Sequence, residues 1–160
     1  SMMATPSADD VILPGSRKPC RACSDFKSWM KAPPGIGNSA STGMGKKLGC
    51  PADSIELGRG TWRLLHSMAA YYPEKPSEET QGNMMSFIHL FSKFYPCWHC
   101  AEDFRDWLKT NTPNVSSQGA LSNFFCNAHN EVNRKLGKPE FDCSLLNQRW
   151  LDGWNDGSCD

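Results

Sequence analysis

From Asp53 onward, apolar residues recur every three or four positions, the period of a helix with one buried face. Leu57, Thr61, Leu64, Leu65, Met68, Ala69 and Tyr72 form the first stripe, opened by Asp53 or Ser54 as a cap and closed before Pro73. A second runs through Met84, Met85, Phe87, Ile88, Leu90, Phe91 and Phe94, with Ser77, Glu78 and Glu79 at its start and Pro96 behind it. Proline suits a first helical position, so Pro96 is expected to open a third helix carrying Cys97, Cys100, Phe104, Trp107 and Leu108. The fourth covers residues 117–136, with Leu121, Phe124, Phe125, His129, Val132 and Leu136 on one side and Gly137 as its stop. A short fifth covers residues 144–151. No pair of alternating segments predicts a sheet, so the expected class is all-α: a four-helix bundle plus a short fifth helix.

Residues 1–49 lack sustained periodicity, and the Pro-, Gly- and Ser-rich stretch from Pro33 to Gly45 reads as a linker. The chain is therefore expected to divide into a flexible tail over 1–49 and a helical domain over 50–160. Inside the tail, Cys20-Arg21-Ala22-Cys23 is a CxxC box, followed by Phe26, Trp29 and Met30 at a spacing that allows one or two transient helical turns. A Gly-rich coil between Cys23 and Cys50 has a root-mean-square reach of roughly 30 Å, enough to visit a site on the same or a neighbouring subunit.

Composition sets bounds. With 160 residues and 39% hydrophobic content the chain suffices for one domain with a modest core, and 17 basic against 17 acidic residues leave no field for nucleic acid. No run approaches the ~20 apolar residues that cross a bilayer, and the opening residues lack the basic start and apolar core of a secretory signal. Neither nucleic-acid binding nor membrane insertion is expected.

Eight cysteines change this picture. Their even number points to four disulfides and an oxidising compartment, which the missing signal reconciles only with import that needs no cleaved leader. The second box, Cys97-Trp98-His99-Cys100, stands at a predicted helix start, where the N-terminus stabilises a thiolate and two thiols can close a reducible disulfide. Half a zinc site is the alternative. Zinc halves usually lie ~12 to 20 residues apart, whereas two predicted helices separate these boxes, and no metal is expected. A thioredoxin-like fold is excluded by the lack of strands. Electrons handed from the tail pair to the helix pair must leave through something other than a thiol, so a bound cofactor is implied. His129, Asn130, Asn133, Lys135 and Lys138 supply donors suited to a nucleotide, although a solvated helix face with one satisfied histidine is the plainer reading.

Tyr95-Pro96-Cys97-x-x-Cys100, the run His129-Asn130-x-Val132-Asn133-x-Lys135-Leu136-x-Lys138-Pro139-x-Phe141-Asp142-Cys143 and the ending Arg149-Trp150-x-Asp152-Gly153-Trp154 resemble the Erv/ALR family of FAD-linked sulfhydryl oxidases, over residues 50–160. The resemblance implies an FAD-dependent enzyme that oxidises protein dithiols. Electrons would pass from Cys20-Cys23 to Cys97-Cys100, then to FAD, then to cytochrome c or to oxygen, giving H2O2. The incoming dithiol would belong to the carrier of the mitochondrial intermembrane-space disulfide relay, with a shorter form in the cytosol or secreted.

The resemblance also makes Cys100 the thiol nearest the flavin and Cys97 the thiol attacked by substrate, a role suited to a more exposed sulfur at a helix start. It assigns Gly58, Arg59, Trp62, His66, Tyr95, His129, Asn130, Val132, Asn133, Lys135, Lys138, Arg149 and Trp150 to the cofactor. Of these, Trp62 and His66 share a helix face able to meet a flat ring. It pairs Cys126 with Cys143 within the chain, a loop closure of roughly 3 kcal/mol on the chain-entropy view. Cys50 and Cys159 it pairs between the subunits of a homodimer, against an intrachain bond as the alternative. A reading from another class remains: a non-enzymatic, disulfide-linked helical dimer acting as a binding or growth-factor-like module.

Overall fold

The computed structural model describes residues 43–160, so Cys20, Cys23 and the residues that follow them as far as position 42 lie outside it. In chain order the elements are α1 (Met44–Leu48), α2 (Ser54–Ala70), α3 (Glu78–Phe94), α4 (Trp98–Thr110), α5 (Gln118–Lys135), a 3-10 turn (Cys143–Leu145) and a π turn (Gln148–Asp152). Among the described residues the fold is all-α, with no strand.

Local signals set the helix ends. Asp53 rather than Ser54 caps α2, accepting from the Glu56 N–H at 2.8 Å, and Ser77 and Ser117 cap α3 and α5 in the same way. Gly137, at φ 66°, ends α5 with two bonds back into its last turn, Gly137 N–H to Arg134 O and Lys138 N–H to Asn133 O. That left-handed step favours glycine.

Three boundaries differ from the sequence expectation. Helix α4 begins at Trp98, not Pro96, because Cys97 takes the cap and its sulfur accepts from the Cys100 N–H at 3.4 Å. Residues 144–151 do not form an α-helix; they are broken into the 3-10 and π turns by the tie from Cys143 to Cys126 and by a bond from Gln118 Nε2 to Asn147 Oδ1. Met44–Leu48, read from sequence as linker and tail, is a five-residue helix with no buried side chain.

Helix α2 packs chiefly on α5, and α3 on α4. Leu65, Ala69, Tyr72, Ile88, Leu108, Val115, Leu121, Phe124 and Phe125 make the core between them. Polar ties cross it: Tyr72 Oη donates to Val115 O, Gln118 Nε2 to Ala70 O, and Arg105 Nη1 to Ser92 O. Several members of the predicted stripes are not in it, three of them more than half exposed. Leu64, Leu90 and Phe94 are 60%, 52% and 58% exposed, because each helix turns one face inward and these residues sit on another that nothing among the described residues covers.

Leu121 is fully enclosed. Leu121→Ala is expected to lower the unfolding free energy by about 2–5 kcal/mol, read as a fall in the urea midpoint at unchanged slope. A loss under ~1 kcal/mol would show that the α2–α5 seam is not the main source of stability.

Candidate active site

The ends of the four long helices and the C-terminal turn surround a cavity of about 740 Å3. Cys100 stands in its wall, bonded to Cys97. Both sulfurs lie at the start of α4, where the partial positive charge of unpaired N–H groups stabilises a thiolate. The relative exposure of the two is the reverse of the expectation. Cys97 is 2% exposed while Cys100 is half-buried, because Cys97, as the cap, folds its sulfur back over the first turn.

Aromatic rings form another wall. Trp62 of α2 lies parallel to His129 of α5, with centroids 4.2 Å apart and planes 2° apart, and Trp150 of the π turn stacks on His66 at 4.8 Å. Arg149 lays its guanidinium over Trp150, 3.9 Å from the ring centroid. The i, i+4 pair Trp62 and His66 share a face, as their spacing predicts. Across the helix pair, His66 Nε2 and His129 Nδ1 share a hydrogen bond of 2.9 Å.

Burial, and behind it the positive charge of His129 and Arg149, pushes His66 down to about 3. Burial with the charge of Lys138 lowers His129 to about 4. Both rings are neutral near pH 7.

Of the residues expected around a cofactor, Gly58, Arg59, Trp62, His66, Tyr95, His129, Asn130, Val132, Asn133, Lys138, Arg149 and Trp150 all line this cavity. Lys135 does not. It lies near Asp103 and Glu131 on the surface, because the face of α5 shared by His129, Val132, Asn133 and Leu136 leaves position 135 about a third of a turn away. Asn130 lines the cavity, yet its amide is engaged elsewhere: Nδ2 donates to Phe141 O at 2.9 Å and Oδ1 accepts from Phe141 N–H at 2.8 Å. That clip holds the segment leading to Cys143, which is bonded to Cys126 as the resemblance implies.

The sequence reading missed several wall residues. Phe91 and Phe104 read as core because their helical spacing is the same as that of core residues, and Phe141 stands in a segment with no periodicity. Ser54 read as a possible cap; its hydroxyl is instead buried at the cavity without a partner among the described residues. Cys50 and Cys159 are exposed and have no disulfide partner among the described residues. Among the described residues no group of three or more His, Cys, Asp or Glu is placed to hold a metal.

Fold and site together define a helical dithiol protein whose redox-capable pair borders a cavity suited to a ligand with flat rings. The chain belongs to the Erv1 / Alr family, whose profile matches residues 59–151. It is 36% identical to the mitochondrial FAD-linked sulfhydryl oxidase ERV1 of Saccharomyces cerevisiae, over 94% of this chain and 92% of that one. The same identity holds with the mitochondrial FAD-linked sulfhydryl oxidase erv1 of Schizosaccharomyces pombe, over 87% of this chain and 90% of that one. Among solved structures it is similar to the yeast Erv1 core, at 43% identity and a TM-score of 0.67 over 74% of this chain and 100% of that one. It is also similar to the FAD binding domain of Erv1 from Saccharomyces cerevisiae, at 47% identity and a TM-score of 0.63 over 65% of this chain and 99% of that one.

The histidine pair makes stability pH-dependent with a definite sign. Folded values below the ordinary 6.5 mean that the unfolded chain takes up protons the folded chain refuses as pH falls. The melting temperature of the flavin-free protein is expected to be flat above about pH 7 and to drop between about pH 6.5 and pH 4.5, a fall that the double variant H66Q/H129Q reduces. A rise in melting temperature over that interval would contradict the neutral pair.

Proposed function

We propose that the protein is an FAD-linked sulfhydryl oxidase that converts protein dithiols to disulfides. The observation that carries this reading is Cys100, one half of a CxxC disulfide, standing in the wall of the ring-lined cavity. The residues present fit FAD. Trp62, His129, His66 and Trp150 offer flat apolar walls, Arg59, Lys138 and Arg149 offer cations for phosphates, and the buried Ser54 hydroxyl lacks a partner that a bound polar group would supply. The volume lies within the range of small-molecule sites, roughly 300–1,000 Å3.

The chemistry of the chain's own groups follows from this geometry. An incoming thiolate attacks Cys97 Sγ, the bond to Cys100 breaks, and Cys100 leaves as a thiolate in the first turn of α4, where the N–H groups hold its charge. A second substrate thiolate then displaces Cys97, so substrate departs as a disulfide and both cysteines are left reduced. Cys97 is buried, so the attacking thiolate must reach a sulfur with little exposed surface. When bound, FAD supplies the two-electron acceptance that returns the pair to its disulfide and relays the electrons to cytochrome c or oxygen.

Cys20-Cys23, outside the described residues, is the dithiol that delivers electrons in this scheme, receiving them from a protein carrier in the mitochondrial intermembrane space. The working unit is a homodimer linked by Cys50 and Cys159. In support of it stand two exposed thiols and the side chains of Leu64, Leu90 and Phe94, unpaired and uncovered among the described residues. The non-enzymatic dimer gains no observation that favours it.

Cys100→Ser is expected to reduce dithiothreitol oxidation, followed by oxygen uptake, at least about a hundredfold without loss of helical content. The double variant C20S/C23S is expected to oxidise dithiothreitol within about twofold of the parent while turnover of the protein carrier falls at least about a hundredfold. Equal loss on both substrates would make the tail pair part of the core site, and full activity of Cys100→Ser would sink the assignment.

A further inference from the structure

The hydrogen bond between His66 and His129 carries information beyond its contribution to stability. It joins α2 to α5 across 63 positions of sequence, and both rings are held in place by stacking, His129 on Trp62 and His66 on Trp150. Two neutral imidazoles can share one hydrogen bond in only two ways, because one nitrogen must donate and the other must accept. If His66 donates, His129 is left with its proton on Nε2. If His129 donates, its Nε2 is a bare acceptor.

The ligand that the surrounding charge attracts chooses between these arrangements. Lys138 follows α5, Arg149 lies on the π turn, and both line the cavity with the two histidines. Their positive charges, besides burial, hold both rings neutral, and they gather acceptor groups of a ligand, phosphate oxygens above all. A bare lone pair on His129 Nε2 would oppose such acceptors, whereas an N–H would meet them.

We propose that His66 is a positioning residue: its Nε2–H donates to His129 Nδ1 and so fixes the tautomer in which His129 offers Nε2–H to an acceptor of the bound cofactor. This rests on the reading of the cavity as the FAD site. The logic is that of a histidine ligand whose second nitrogen is oriented by an outer partner, transferred from a metal to an organic ligand.

The test uses the full chain with its flavin, labelled with 15N in histidine. Long-range proton–nitrogen spectra are expected to show His129 protonated at Nε2 and accepting at Nδ1. His66→Leu is expected to mix the two tautomers and to raise the flavin dissociation rate about tenfold. His66→Gln, whose amide N–H can serve the same acceptor, is expected to restore the tautomer and to bring dissociation within about threefold of the parent. A wild-type His129 protonated at Nδ1 overturns the proposal, as does an unchanged tautomer and flavin retention in His66→Leu. If His66→Leu does not fold, the wild-type spectrum together with His66→Gln decides. A wild-type chain that neither carries nor takes up flavin sinks the cofactor reading instead, and the spectrum of the free chain still reports which nitrogen of His129 holds the proton.

Discussion

Everything in this domain depends on the packing of α2 against α5. One side of the seam is the core, where Leu65, Ala69, Leu121 and Phe125 exclude water, and the other side is the ring wall of the cavity. The same two helices therefore supply stability and ligand geometry, so a displacement that loosened the core would also part Trp62 from His129 and His66 from its hydrogen-bond partner. Sites built on rigid elements hold their geometry better than sites on loops, and here the two walls belong to helices tied together across 63 positions of sequence.

The remaining elements are fastened to that seam by specific polar and covalent ties. Cys126–Cys143 and the two-bond clip from Asn130 to Phe141 anchor the segment after α5, and the π turn then sets Trp150 against His66. Helices α3 and α4 complete the opposite side, joined by Arg105 to Ser92 and meeting at the Cys97 cap. The CxxC pair thus faces the ring wall across one cavity, and the two cysteines are unequal in surroundings: Cys100 borders the cavity, Cys97 lies beneath the first turn of α4.

What could be read from sequence was what local physics dictates. Asp53, Ser77, Ser117 and Gly137 mark helix ends because each satisfies backbone groups within its own turn, and the structure has them in those roles. The all-α class and about half of the cavity residues were legible as well, the latter through the family resemblance rather than through periodicity. Long-range effects were not. The break-up of residues 144–151 needs the Cys126–Cys143 bond and Gln118, the surface position of Lys135 needs the orientation of α5, and the burial of Cys97 needs its capping conformation. Leu64, Leu90 and Phe94 look like core residues by spacing, and only packing shows that the described residues leave them uncovered.

The central claim is that the Cys97–Cys100 pair and a flavin form one redox unit. The direct measurement is the visible spectrum of the purified full chain, before and after anaerobic addition of dithiothreitol. The account predicts oxidised-flavin absorbance at about one flavin per chain, which bleaches on addition and returns with oxygen. A colourless folded protein, or a bound flavin that stays oxidised under excess dithiothreitol, would contradict it.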